Sequence, residues 1–246
     1  MIRLRRLSHA YRNGVPIFSD VNLDIPTDRR VALLGHKNSG KSTLIGLLGG
    51  MMQPTSGRID RRVRVSFPAG YQGGFRLSHT GRQNIFFAAR VHGANEREVF
   101  DFVRAVTDLN GALEKPMRDL SLQTRIGLSY ALTYALPFDA YVFDNIVGPV
   151  GSDIPDFFHR CRAMFEARSR DSGLIISTRN ASVAEQYCDC AVVIHERNLL
   201  YFDNVYDAIW YFERNGAVPD AATDGFPDQA DDDFDEDRDE PSEFGS

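Results

Sequence analysis

Long apolar runs are missing from this 246-residue chain. No stretch of about 18 consecutive apolar residues occurs, so no membrane-spanning helix is predicted, and the start Met1-Ile2-Arg3-Leu4-Arg5-Arg6 lacks the pattern of a signal peptide. Cysteine is scarce as well: the three present (Cys161, Cys188, Cys190) suit a reducing cytoplasm. With no second Cys/His cluster, Cys188-Asp189-Cys190 reads as buried thiols and not as a metal site. Positive charge is nearly absent from residues 216–246, which hold 12 Asp/Glu and one Arg, a local charge of −11 within a net −6. The remainder is therefore basic, at +5. Such a tail cannot bury enough apolar surface to offset its ordering entropy and is predicted to be disordered. It reads as a solubilising appendage, or else as a partner-binding or autoinhibitory segment. The guanine-reading Asn-Lys-x-Asp motif is also lacking, which argues against a GTPase.

What is present is a phosphate loop. Gly35-His36-Lys37-Asn38-Ser39-Gly40-Lys41-Ser42-Thr43 fits G-x-x-x-x-G-K-[ST], a pattern that chance supplies roughly once in a hundred chains of this length. Its glycines let successive N–H groups point at a polyphosphate. Lys41 supplies a charge for the β- and γ-phosphates, and the Ser42 hydroxyl can ligand Mg²⁺. The loop follows the apolar run 30–34, read as a buried strand. It enters 44–48, read as a helix whose N-terminal dipole faces the phosphates.

Around this centre the fold class is α/β. Strands are predicted at 2–7, 21–25, 57–60 and 63–67, followed by a mostly helical block from about 75 to 136. Asn95 with Glu98 three residues on gives a capping-box signal there. Runs 140–144 and 173–177 read as central strands of a parallel sheet. Between them Ile154, Phe157, Phe158, Cys161, Met164 and Phe165 recur at helical spacing, which core packing explains. Closing strands are predicted at 190–194 and 199–202 and a last helix at 205–212. The resulting division is an ATP-binding core with a β subdomain (1–74 and 137–215), a helical subdomain (75–136) and the acidic tail.

Taken together, 1–215 resembles an ABC-type ATPase of the branch that exports capsular polysaccharide and related polymers. The likeness rests on the phosphate loop, on Gln53-Pro54-Thr55-Ser56-Gly57-Arg58-Ile59, on Gly81-Arg82-Gln83-Asn84-Ile85 and on Gln186-Tyr187-Cys188-Asp189-Cys190-Ala191-Val192-Val193. It implies a P-loop, RecA-like nucleotide-binding domain with an inserted helical subdomain and an antiparallel β subdomain. Gly35, Asn38, Ser39, Gly40, Lys41, Ser42 and Thr43 would bind ATP, and Asp144 would order Mg²⁺ through water beside Ser42. Tyr11 would stack under adenine, a core tyrosine being the alternative.

Several positions depart from the family pattern. Asn145 stands where a glutamate base is expected, and an amide is no base at neutral pH; positioned acid–base groups are worth about 10²–10⁴ in rate. Thr178 follows Ser177 where a γ-phosphate-contacting histidine is expected. Arg76 stands for the Mg²⁺-sensing glutamine, although Gln72 lies near. The signature reads Leu120-Ser121-Leu122-Gln123-Thr124, retaining Ser121, which would act on a partner's nucleotide in trans, while Leu122 and Gln123 replace glycines. Lys41, Ser42 and Asp144 are intact. The expectation is a degenerate ATPase that holds ATP–Mg²⁺ with weak or no hydrolysis, against the alternative of a competent ATPase powering export. The implied partners are an integral-membrane permease and a second ATPase subunit, either a copy of this chain or an intact homologue. The implied location is the cytoplasmic face of the inner membrane. No nucleic-acid partner is predicted: the basic start (Arg3, Arg5, Arg6, Arg12) reads as a solvated or membrane-proximal face.

Overall fold

A computed structural model describes residues 1–11, 14–144 and 156–215. Strand β3 (Arg30–Leu34) is the axis of the molecule. Its alternation sends Val31 and Leu33 into one apolar core and Ala32 and Leu34 into another, as a period-2 strand covered on both faces must. The neighbouring strands do the same. Val142 and Ile175 join the first core, while Tyr141, Phe143, Leu174 and Ile176 join the second.

The main sheet has the order β5-β6-β7-β3-β8-β9. It comprises β5 (Val65–Pro68), β6 (Ala140–Asp144), β7 (Gly173–Thr178), β3, β8 (Cys190–His195) and β9 (Asn198–Phe202). All pairs are parallel except β8–β9, which is antiparallel. The central runs at 140–144 and 173–177 thus sit where their apolar composition predicts. A second, antiparallel sheet of order β2-β1-β4 joins β1 (Ile2–Ala10), β2 (Pro16–Ile25) and β4 (Ser56–Arg61). Its buried residues Ile2, Leu4, Leu7, Phe18 and Val21 close the first core together with Leu44, Ile45, Leu47 and Leu48 of helix α1 (Lys41–Leu48).

The second core lies under the helices. Helix α2 (Gly81–Val91) packs on α3 (Glu96–Thr107), and α3 packs on α4 (Leu122–Ala135). Helix α5 (Phe157–Asp171) turns Phe157, Cys161 and Phe165 into the core, all fully buried, with Met164 packed against it, as the stripe predicted for these four. Ile154 and the side chain of Phe158 in that stripe fall outside what is described. Helices α6 (Ala181–Tyr187) and α7 (Val205–Asn215) complete this layer, and α6 is an element the sequence reading did not anticipate. All three cysteines are buried free thiols, and burial pushes Cys161 and Cys188 up to about 12. Among the described residues no helix is long and apolar enough to cross a membrane.

Helix capping differs from expectation in one detail. Asn95 caps α3 by accepting from the N–H groups of Arg97 and Glu98, but the Glu98 carboxylate takes the Asn95 side-chain amide (3.1 Å). The complete reciprocal box lies at α2. There Thr80 Oγ1 accepts from Gln83 N (3.1 Å) and Gln83 Oε1 from Thr80 N (2.9 Å).

Candidate functional site

The site forms where β3, β6 and β7 end together. Register pairs Leu34 with Thr178 and Asp144 with Ser177, so the chain leaving β3 at Gly35 emerges beside the C-terminal ends of β7 and β6. Ligand crevices of open α/β sheets lie at such strand ends. The loop from 35 to 40 needs unusual backbone. Gly40 has φ 95°, and a Cβ there would lie 2.5 Å from Ile17 Cγ2. Asn38 has φ 60°, a left-handed conformation that asparagine tolerates better than most residues.

Lys41 begins α1 and is buried. Its Nζ donates to the Gly35 and His36 carbonyls at 2.8 and 2.6 Å, folding the loop around the ammonium. Burial is the largest influence on Lys41, followed by the charge of Arg179, with Asp144 opposing; together they bring it down to about 8. The first turn of α1 carries no acidic residue and no side-chain cap, and the buried Ser39 Oγ has no hydrogen-bond partner. An uncapped helix start, a buried lysine and an orphaned hydroxyl in one loop fit a polyphosphate. Ser42 is exposed at the loop's mouth. Thr43 is buried and hydrogen-bonded to the Tyr11 hydroxyl (2.8 Å). That bond fixes Tyr11 beside the start of α1 with its side chain about half exposed (47%), open to a planar ligand.

Asp144 ends β6, and Ser177 Oγ donates to its Oδ1. This partner was not foreseen, because it depends on cross-strand register. Thr178 is buried, and its hydroxyl accepts from Asn180 N (3.0 Å) at the entry to α6. The loop residue His36 stacks on Phe212 of α7 (ring centroids 4.6 Å apart, planes 19°), another contact no local pattern announces. Burial, then Lys41 and His195, holds the His36 imidazole below its usual range.

The other candidates within the described residues belong to different elements. Arg76 stands in the β5–α2 connection with an exposed side chain; its backbone is held by Asn84, which accepts from Arg76 N (2.8 Å) and donates to Arg76 O (3.1 Å). Ser121 caps α4, accepting from Thr124 N (3.1 Å), and is followed by the exposed Leu122 and the half-buried Gln123. Asn145 lies outside the described residues.

The family model described as ABC transporter matches residues 18–121. The polysialic acid transport ATP-binding protein KpsT of Escherichia coli is 32% identical over 215 residues, spanning 85% of this chain and 95% of that one. The capsule polysaccharide export ATP-binding protein CtrD of Neisseria meningitidis serogroup B is 28% identical over 215 residues, spanning 86% and 98%. Among solved structures, an ATP-binding cassette dimer in a post-hydrolysis state with ADP and Pi shares the fold. Its TM-score is 0.65 at 14% identity, covering 83% of this chain and 99% of that one.

Proposed function

The chain belongs to the ABC transporter family of ATP-binding proteins, and from that premise we propose that it is the ATP-binding subunit of an exporter of capsular or related surface polysaccharide. In this reading it binds ATP with Mg²⁺ and hydrolyses it weakly or not at all. The relatives named for polysialic acid transport and capsule polysaccharide export support the substrate class. Lys41 and the N-terminal amides of α1 hold the polyphosphate, with Gly35, Asn38, Ser39, Gly40 and Thr43 shaping the loop. Tyr11 faces the base. Ser42 and Asp144 hold Mg²⁺, which when bound supplies charge neutralisation. Ser177 orients the Asp144 carboxylate by donating to it.

One observation carries the weak-hydrolysis reading. Thr178, at the strand-end position paired with Leu34, is buried and its hydroxyl is already engaged by Asn180 N. It offers the nucleotide neither reach nor an ionisable group. Asn145, directly after Asp144, adds an amide where a base would be needed. Ser121 acts in trans on a second subunit's nucleotide, and Arg76 takes the place of the Mg²⁺-sensing glutamine. The exposed apolar residues Phe87 and Val91, four apart on α2, suit contact with a permease at the inner membrane's cytoplasmic face. The domain division follows the same logic, with 75–136 as the helical subdomain and 216–246 as an acidic tail.

The test is steady-state hydrolysis by the wild type, Lys41→Ala and Asn145→Glu, each beside its ATP affinity. The wild type is expected to bind ATP yet turn over no faster than Lys41→Ala, while Asn145→Glu gains about tenfold or more. Wild-type turnover abolished by Lys41→Ala would instead favour the competent ATPase that the intact Lys41, Ser42 and Asp144 allow.

A further inference from the structure

The last residues of β7 divide their work by strand alternation. Ser177 donates to Asp144 and Thr178 accepts from the N–H of Asn180, the residue that caps α6, and Arg179 lies between them in the turn that leaves β7. Arg179 is exposed and makes no hydrogen bond or ion pair among the described residues, unlike Arg29, Arg30 and most other arginines of the fold. It leaves the sheet next to Leu34, immediately before the phosphate loop, and its charge reaches Lys41. Two cations thus border the start of the phosphate loop, Lys41 within it and Arg179 directly after the β7 residue paired with Leu34, and their like charges oppose each other until a polyanion enters.

From this arrangement we infer that Arg179 is a nucleotide-binding residue that contacts the terminal phosphate of ATP and sets the preference for ATP over ADP. The inference rests on the nucleotide-binding reading above. Lys41 of a phosphate loop reaches the β- and γ-phosphates, so a second cation meeting it there senses the charge that ATP has and ADP lacks. A guanidinium binds phosphate oxygens bidentately and stays charged at any working pH. With the Thr178 hydroxyl engaged by Asn180 N, Arg179, the first residue beyond β7, is left to approach that phosphate.

The experiment measures equilibrium affinities for ATP–Mg²⁺ and ADP–Mg²⁺ on the full chain, wild type against Arg179→Ala and Arg179→Gln, with Lys41→Ala as control and unliganded melting curves beside them. Both Arg179 variants are expected to melt as the wild type does, because the side chain is exposed and unpartnered. Both are expected to lose roughly tenfold in ATP affinity and less than about twofold in ADP affinity. Unchanged ATP affinity, or equal losses for ATP and ADP, would overturn the assignment while leaving nucleotide binding through Lys41 intact. A wild type that binds neither nucleotide would overturn the binding reading itself and this inference with it.

Discussion

Lys41 shows how a single residue couples the phosphate loop to its ligand. Its ammonium is enclosed by the Gly35 and His36 carbonyls, and burial with Arg179 nearby brings it to about 8. The cationic form binds phosphate, and a bound polyphosphate raises the lysine again. Nucleotide affinity is therefore full below pH 8 and falls above it, by about tenfold per pH unit until the bound form titrates. Titration calorimetry at pH 7 and pH 9 checks this: binding at pH 9 takes up a proton and is weaker, and Lys41→Ala shows neither effect. Asp189 is the opposite case. Its carboxylate lies on the Arg30 guanidinium, with Oδ2 3.1 Å from Nε, and that partner holds it below the ordinary carboxylate range. A depressed carboxyl contributes stability above its unfolded value of about 3.9 and loses it as pH falls through the folded one. Both side chains are over a third exposed, so Asp189→Asn is expected to cost about 1 kcal/mol or less at pH 7 in denaturant unfolding, and less as the pH is lowered below the ordinary carboxylate range.

At the scale of elements, the site depends on what abuts the loop from a distance in sequence. Phe212 of α7 stacks on His36, bracing the loop between β3 and α1. Phe212→Ala is expected to weaken ATP binding about three- to tenfold through a looser loop, with stability falling by about 3 kcal/mol for the lost buried ring; isothermal binding and denaturant unfolding separate the two effects. The same distinction marks what the sequence discloses. The phosphate loop is legible because glycine geometry and a lysine's charge are local requirements, and β3, β6 and β7 are legible because apolar runs of strand length need two covered faces. Helix α6 is not, since its seven residues carry one fully buried side chain, Ala184, and therefore no stripe. The capping box at Thr80 is overlooked because Gly81 and Arg82 follow it, not an apolar run. The Ser177–Asp144 bond, the His36–Phe212 stack and the approach of Arg179 to Lys41 are tertiary, set by register that no local pattern reports.

For the whole molecule, two sheets and a helical layer bring a polyphosphate-binding loop to the C-terminal ends of parallel strands, an arrangement shared with the ATP-binding cassette of known structure. In the proposed assignment Lys41, Ser42 and Asp144 are the binding parts, and the positions that would split ATP carry Asn145 and Thr178, whose hydroxyl accepts from Asn180 N. In the proposed reading such a subunit works by holding ATP and pairing, either with its own kind or with an intact homologue that supplies the turnover. The identity of the nucleotide retained over time tests this most directly. Purified protein is loaded with ATP–Mg²⁺, freed of excess, and its bound nucleotide released and separated after minutes and after hours. ATP recovered unchanged at both times, with none retained by Lys41→Ala, is the predicted result. Conversion of the bound pool to ADP within minutes would contradict the account and make the chain a working ATPase.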